Sequence, residues 1–199
     1  MAVRTDFTKN GIIKAKTAIE AGYSNNKNDL GGETNHGIIV ATAREYGYTG
    51  PMKDLTVEQA YAIYDKGWWQ RMLLDQVLEI SPLLADRMFD FGINSGRANA
   101  VKTLQRLLNV LNRQEKLYPD IGVDGGMGPG TIGALKKYVA ARGKKGVDIL
   151  NFAMVSHQVA YYTDISEKRK QNEEFTFGWY DRVFQEMPSY AFEMGVCSK

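Results

Sequence analysis

The sixteen residues Glu20–Asn35, E-A-G-Y-S-N-N-K-N-D-L-G-G-E-T-N, set the reading of the whole chain. Ile12, Ala15, Ile19 and Tyr23 recur at helical spacing. They predict a helix over about Thr8 to Ala21, with Gly22 as its stop. Glu20 therefore falls at a helix end. From Ser24 to Asn35 the chain turns polar and glycine-rich, the composition of a loop or short hairpin. Asp29, the Gly31-Gly32 turn, Glu33 and Thr34 lie in it. Ile38, Ile39 and Val40 start the next apolar element.

This places one carboxylate at a helix end and a second in a neighbouring loop. Backbone carbonyls at a helix C-terminus carry partial negative charge, which discourages a carboxyl there from ionising. Burial in a cleft acts in the same direction. Both suit Glu20 to general acid work near neutral pH. Asp29, nine positions on, can face Glu20 only if the loop folds back. Thr34 offers a hydroxyl that can hold a water. Glu33 is the rival second carboxylate, ranked behind Asp29 because an alternating strand points Glu33 and Thr34 to opposite faces. One carboxyl kept protonated for a leaving oxygen, beside one kept ionised for water or developing positive charge, is what glycoside hydrolysis requires. Plainer readings exist for each residue: a surface Glu20 paired with Lys16 one turn earlier, a turn-forming Asp29, an ordinary strand threonine. The Lys-before-Glu order makes that pair a weak one.

Elsewhere the chain reads as helices. Thr56 and Gln59 form a capping box for a helix to Trp69, with Leu55 stapled onto Ala60 and Val57, Tyr61, Tyr64 and Trp68 as its buried stripe. Of Trp68 and Trp69, one belongs in the core and the other is a candidate sugar platform. Ser81-Pro82 opens the next helix with Leu84, Met88 and Phe91 inward. A further helix runs from about Arg97 to Leu111, with Val101, Leu104, Leu108 and Leu111 on one side. Thr131 is read as the cap of a short helix to about Ala141. Asp148 is read as the cap of a longer one with Phe152, Val155, Val159 and Tyr162 inward. Trp179 to Met187 is the last helix, ended by Pro188. The fold class is mainly α (α+β, lysozyme-like): a helical bundle with a small irregular or β insertion after the first helix.

The chain has 199 residues and a hydrophobic fraction of 44%, enough for a globular core. Net charge is only +2, but it is unevenly spread. Pro51 to Asp90 carries a net of −3 and Arg97 to Gly146 a net of +7. A basic second half suits an anionic polymer such as nucleic acid or bacterial cell wall. No nucleic-acid-binding motif accompanies it, so nucleic acid is not an expected partner. The single cysteine, Cys197, allows no internal disulfide. Lys9, Lys14 and Lys16 interrupt any signal-like apolar core, and no stretch approaches a bilayer-spanning length. The expectation is a protein made without a signal peptide or stable membrane insertion.

The run from Glu20-Ala21-Gly22-Tyr23 through Asp29-Leu30-Gly31-Gly32-Glu33-Thr34-Asn35-His36-Gly37-Ile38 resembles the signature of glycoside hydrolase family 108. Members are N-acetylmuramidases, many of them bacteriophage endolysins, with a glutamate in an E-G-G-Y motif that Glu20 matches. Ala21 departs from the usual glycine, and His36 from the usual aromatic. The Glu, Asp, Thr order is also similar to that of T-even phage lysozymes. The resemblance implies Glu20 as acid, Asp29 as partner carboxylate and Thr34 as water holder. Tyr23, Asn35, His36 and Asn94 are the candidate substrate-binding residues. The later runs Phe91-Gly92-Ile93-Asn94-Ser95-Gly96, Leu104-Gln105 and Val123 to Thr131 resemble the peptidoglycan-binding region that accompanies this family.

The implied organisation is a catalytic region over 8–95, tightly fused to a helical peptidoglycan-binding region over 96–187. The implied activity is hydrolysis of the β-1,4 bond between N-acetylmuramic acid and N-acetylglucosamine, by a monomer that needs no cofactor. It would wait in the host cytoplasm and reach the wall when a holin opens the membrane. The alternatives are a lytic transglycosylase using Glu20 alone and a non-catalytic wall-binding module. Asp124 to Leu135 lacks the carboxylates of a calcium loop, and Gly125 to Thr131 lacks the lysine of a phosphate loop. His36 and His157 show no metal-ligand spacing, so no metal is expected.

Overall fold

In the computed structural model, which describes residues 4–19, 22–25, 32–193 and 195, the first helix α1 is Lys9–Ile19. Thr8 caps it, its hydroxyl oxygen accepting from the Gly11 amide at 3.1 Å. Ile12 and Ile13 are buried, and so are Lys16 and Thr17 on the same helix. A small hairpin follows. Strand β1, Thr34–Asn35, pairs antiparallel with β2, Ile38–Ile39. His36 and Gly37 form the two-residue connection, both at positive φ (50° and 73°), as a type I′ turn requires. Ser24 bridges to the other side of Thr34. Helix α2, Val40–Glu45, leads into a 3-10 turn, Met52–Asp54.

Helix α3, Val57–Tyr64, carries the expected reciprocal capping box between Thr56 and Gln59. It continues as a π turn, Asp65–Trp69. The buried face differs from the simple helical stripe. Ala60, Ile63, Tyr64 and Gly67 point inward, while Val57 is exposed. The wider π turn displaces the register, so Trp69 is fully buried and Trp68 only half-buried.

Helix α4, Leu74–Ile80, precedes α5, Pro82–Ser95, which is the central post. The Ser81 hydroxyl caps α5 through the Leu84 amide at 3.1 Å, with Pro82 in its first turn. Every residue from Leu83 to Gly92 is buried, because α4, α6 and α7 all pack on this helix. A Cβ on Gly92 would come within 2.6 Å of Met72 Cε, so the methionine would have to shift, and the Gly92 carbonyl accepts from Trp68 Nε1 at 3.0 Å. Helix α6 is Arg97–Leu111, with Val101, Leu104 and Leu108 inward as expected.

Several expectations about the C-terminal helices are corrected. Helix α7 runs Pro129–Lys168, and its one break is at Gly143, at φ 60° and ψ −158°, a combination open essentially to glycine alone. Asp148 lies inside the second arm, paired to Lys144 at 2.9 Å, instead of starting it. Phe152 is exposed, and the inward face is Leu150, Asn151, Met154, Gln158 and Tyr162. Thr131 sits within the first turn instead of at its cap. It accepts a hydrogen bond from the buried Gln105 amide at 3.1 Å. Helix α8, Glu173–Glu193, starts earlier than expected and passes through Pro188. Docking of Ser189 and Tyr190 beyond the proline outweighs the hydrogen bond it removes: the Ser189 hydroxyl accepts from the Arg4 amide at 2.9 Å, and Tyr190 donates to Asp86 at 2.6 Å. One apolar core runs from Ile12 to Met154 without a seam at the middle of the chain. No helix of the described residues is long and apolar enough to cross a membrane.

Candidate active site

Glu20 and Asp29, the acid and partner carboxylate named from the sequence, lie outside the described residues. What is described is the frame on either side of them. Helix α1 ends at Ile19, so Glu20 is the next residue. Ser24 and Thr34 exchange two backbone hydrogen bonds, of 2.8 and 2.9 Å. That exchange clamps together the ends of the segment that contains Asp29.

Thr34 is half-buried, and its hydroxyl lies 3.4 Å from the Gly32 carbonyl. This is longer than a good O–H···O bond, so the hydroxyl retains capacity for another partner. Glu33 is engaged. Its Oε1 accepts from the Tyr23 phenol at 2.9 Å, and this bond, more than any other influence, raises the Tyr23 pKa. The Tyr23 ring is otherwise exposed. Tyr23, Ser24, Glu33 and Thr34 therefore form one cluster.

Asn35 faces the other way. It is buried, and its amide nitrogen donates to the Met52 carbonyl at 2.8 Å, holding the hairpin to the 3-10 turn. His36 occupies the turn, where its carbonyl accepts from Tyr64 Oη at 3.0 Å. Its Nδ1 is buried with no hydrogen-bond partner among the described residues. Asn94 sits on α5, its amide donating to the Asp90 carbonyl at 2.8 Å and to the Asp90 carboxylate at 3.0 Å.

Asp90 links Asn94 to the helix that leads to Glu20, through a network the sequence reading did not find. Lys16, one turn before Glu20, is buried and bonded to Asp90 Oδ1 instead of lying on the surface. Gln158 of α7 donates to Asp90 Oδ2 at 2.7 Å. Arg87 lies 3.7 Å from the same carboxylate, and so does Arg182 of α8. Burial works to raise the Asp90 pKa, but the charges of Lys16, Arg182 and Arg87 outweigh it and hold the carboxyl far below the usual range. Glu186 of α8, 3.4 Å from Arg87, goes the other way. Burial, with the charge of Asp90 added, pushes it up. The sequence held one signal of this: Asp86, Arg87 and Asp90 are three charges on an otherwise apolar helix.

A second region the sequence singled out folds around Gln105. The Gln105 amide nitrogen donates to Asp124 at 2.8 Å and to the Gly126 carbonyl at 3.0 Å, and its oxygen accepts from the Gly125 amide at 2.9 Å. This is a tight turn, as the local residues suggested. Among the described residues no group of three or more His, Cys, Asp or Glu side chains is placed to hold a metal ion.

Residues 13–96 match the family described as Glycosyl hydrolase 108. Residues 99–184 match the Predicted Peptidoglycan domain. Residues 13–96 are thus a glycosyl hydrolase family 108 region, followed by a predicted peptidoglycan domain. It is a lysozyme-like glycoside hydrolase that degrades peptidoglycan. The family 108 fold is similar to a solved structure from Brucella abortus, SagA, at 26% identity and a TM-score of 0.69. That match covers 92% of this chain and 95% of the other. No curated protein sequence matches the chain.

Proposed function

We propose that this glycosyl hydrolase family 108 chain is an N-acetylmuramidase. It cleaves the β-1,4 bond between N-acetylmuramic acid and N-acetylglucosamine with Glu20 as general acid and Asp29 with Thr34 holding the attacking water. The phage endolysin setting, with release through a holin and action as a monomer, belongs to the same proposal. The observation that carries the reading is the Ser24–Thr34 clamp beside the end of α1. Ser24 is four positions after Glu20, so chain length alone keeps them within about 14 Å. The clamp joins the two ends of the segment that contains Asp29.

Two further observations support the roles. Glu33 is occupied by Tyr23, which favours Asp29 as the second carboxylate. The loosely held Thr34 hydroxyl gives a water a second anchor, and a covalent intermediate would not need one. A held water implies inversion, with the two carboxyls about 6.5–9.5 Å apart.

Mass spectrometry of soluble products from purified peptidoglycan tests the bond. Fragments ending in reducing N-acetylmuramic acid are expected. Reducing N-acetylglucosamine, a 1,6-anhydro product or no product would each replace the reading. Proton NMR of the first-formed ends should show the α-anomer, and an initial β-anomer would make Asp29 or Glu33 a nucleophile. Glu20→Gln keeps the shape but has no transferable proton, so the rate should fall by at least about 10²–10⁴. Clearing of wall suspensions near the wild-type rate would remove Glu20 from the role.

A further inference from the structure

A groove of about 550 Å³ crosses from the first half of the chain to the second. The volume is in the range of small-ligand sites. Trp68, Arg71 and Met72 form one wall, and the start of α6 with the loop at Gly125 to Met127 forms the other. That loop presses closely on the helix. Gly125 has φ 82°, and a Cβ on it would lie 3.1 Å from the Ala98 carbonyl.

The lining contains two arginines and no carboxylate. Arg71 is exposed and makes no ion pair among the described residues. Among the described residues Arg97 is held by neutral oxygens only, the Gly67 carbonyl and Tyr46 Oη. Its charge is thus fixed in place but not neutralised. The same lining offers the part-exposed Met127 and the half-buried Trp68 ring as apolar surface, backed by the fully buried Met72 and Val101. Trp68 also touches Tyr64, with ring centroids 5.6 Å apart, and Tyr64 holds the hairpin turn at His36. Trp68 therefore links the groove to the hairpin through Tyr64.

We infer that this groove binds the stem peptide of peptidoglycan, its carboxylates on Arg71 and Arg97 and its aliphatic side chains on Trp68 and Met127. The inference rests on peptidoglycan being the substrate. Its N-acetylated sugars carry no free charge, and the lactyl group of muramic acid is amide-linked to the peptide. The carboxylates of the polymer therefore belong to the stem. Guanidinium forks recognise planar carboxylates through paired hydrogen bonds. A site made from both halves also gives the second half a role in substrate recognition beyond general adhesion to the wall.

The test is binding of a free stem tetrapeptide, followed by backbone amide shifts in NMR, so it does not depend on hydrolysis. Shifts are expected at Gly96, Ala98, Gly125 and Gly126. Arg71→Gln, at an exposed position, should leave the spectrum folded and weaken binding several-fold, and added salt should weaken the wild type. Absence of these shifts at millimolar peptide, equal affinity in Arg71→Gln, or tighter binding of an oligonucleotide at the same residues would each overturn the inference. Peptide binding by a protein that releases no muramic acid ends would overturn the muramidase reading and leave this one standing.

Discussion

An amide nitrogen buried against the Met52 carbonyl is costly to remove, and this defines what Asn35 does in the structure. Asn35→Ala removes this bond from a buried carbonyl that then keeps only the Leu55 amide, at 3.2 Å. The loss should be about 0.5–1.5 kcal/mol of folding stability, read from the urea midpoint. Hydrolysis by the surviving folded protein should change little in KM. An Asn35→Ala protein as stable as wild type but with a raised KM would return the side chain to the substrate. The contrast with Thr34, one residue earlier, is instructive. Both are small polar residues of one motif, and alternation along β1 turns one inward and leaves the other with a loosely engaged hydroxyl. The motif around Glu20 was legible because a carboxylate at a helix end and a glycine-rich polar loop are local features. Which polar residue of β1 faces inward was not legible, because it depends on where the 3-10 turn at Met52–Asp54 comes to rest.

At the scale of elements, α8 is joined to α1 and α5 by buried charges. Glu186 is the member with a predictable pH signature. Its folded-state pKa lies above the unfolded one, because of burial first and Asp90 second. A raised carboxylate favours the folded state while it is protonated. Its contribution is complete below the unfolded pKa of about 4.3 and is lost as pH rises through the folded value. Glu186→Gln removes this titration. The stability of the variant relative to wild type should therefore increase from pH 4 to pH 8, measured by urea denaturation at both. A constant difference would mean that Glu186 keeps its ordinary pKa and that Arg87 fully compensates its burial. The elements read correctly from sequence were those whose limits are set by adjacent residues: the capping box at Thr56, the Ser81-Pro82 start, and α6 from Arg97 to Leu111. Errors arose where distant contacts decide. Pro188 is carried inside α8 because Tyr190 reaches Asp86, 104 residues away in sequence. The buried Lys16 could not be distinguished from a surface lysine without knowing that Asp90 and α8 cover it.

For the whole molecule, the two sequence regions meet inside one core, and this bears on whether either can stand alone. Cutting after residue 96 would separate Asp90 from Gln158 and Arg182, Asp86 from Tyr190, and Phe91 from the Tyr161 ring, 5.8 Å away. The face of α5 that α6 and α7 cover would be opened to water. Removing one partner from a buried ion pair costs about 3–5 kcal/mol, and a domain's whole stability is about 5–15 kcal/mol. The loss of the Asp90–Arg182 pair, with two buried hydrogen bonds and the uncovering of the apolar face of α5, exceeds that margin. A fragment ending at residue 96 should therefore show no cooperative unfolding transition, whereas the intact chain should unfold in one. Fragments 1–96 and 97–199 produced together should associate and recover the transition, because the buried polar partners and the apolar face then meet again. Circular dichroism against temperature on the fragment, the mixture and the intact chain distinguishes these outcomes. A fragment 1–96 that melts cooperatively and hydrolyses peptidoglycan alone would make the second half an appended binding module. The buried links from α5 to α7 and α8 would then be dispensable to the fold.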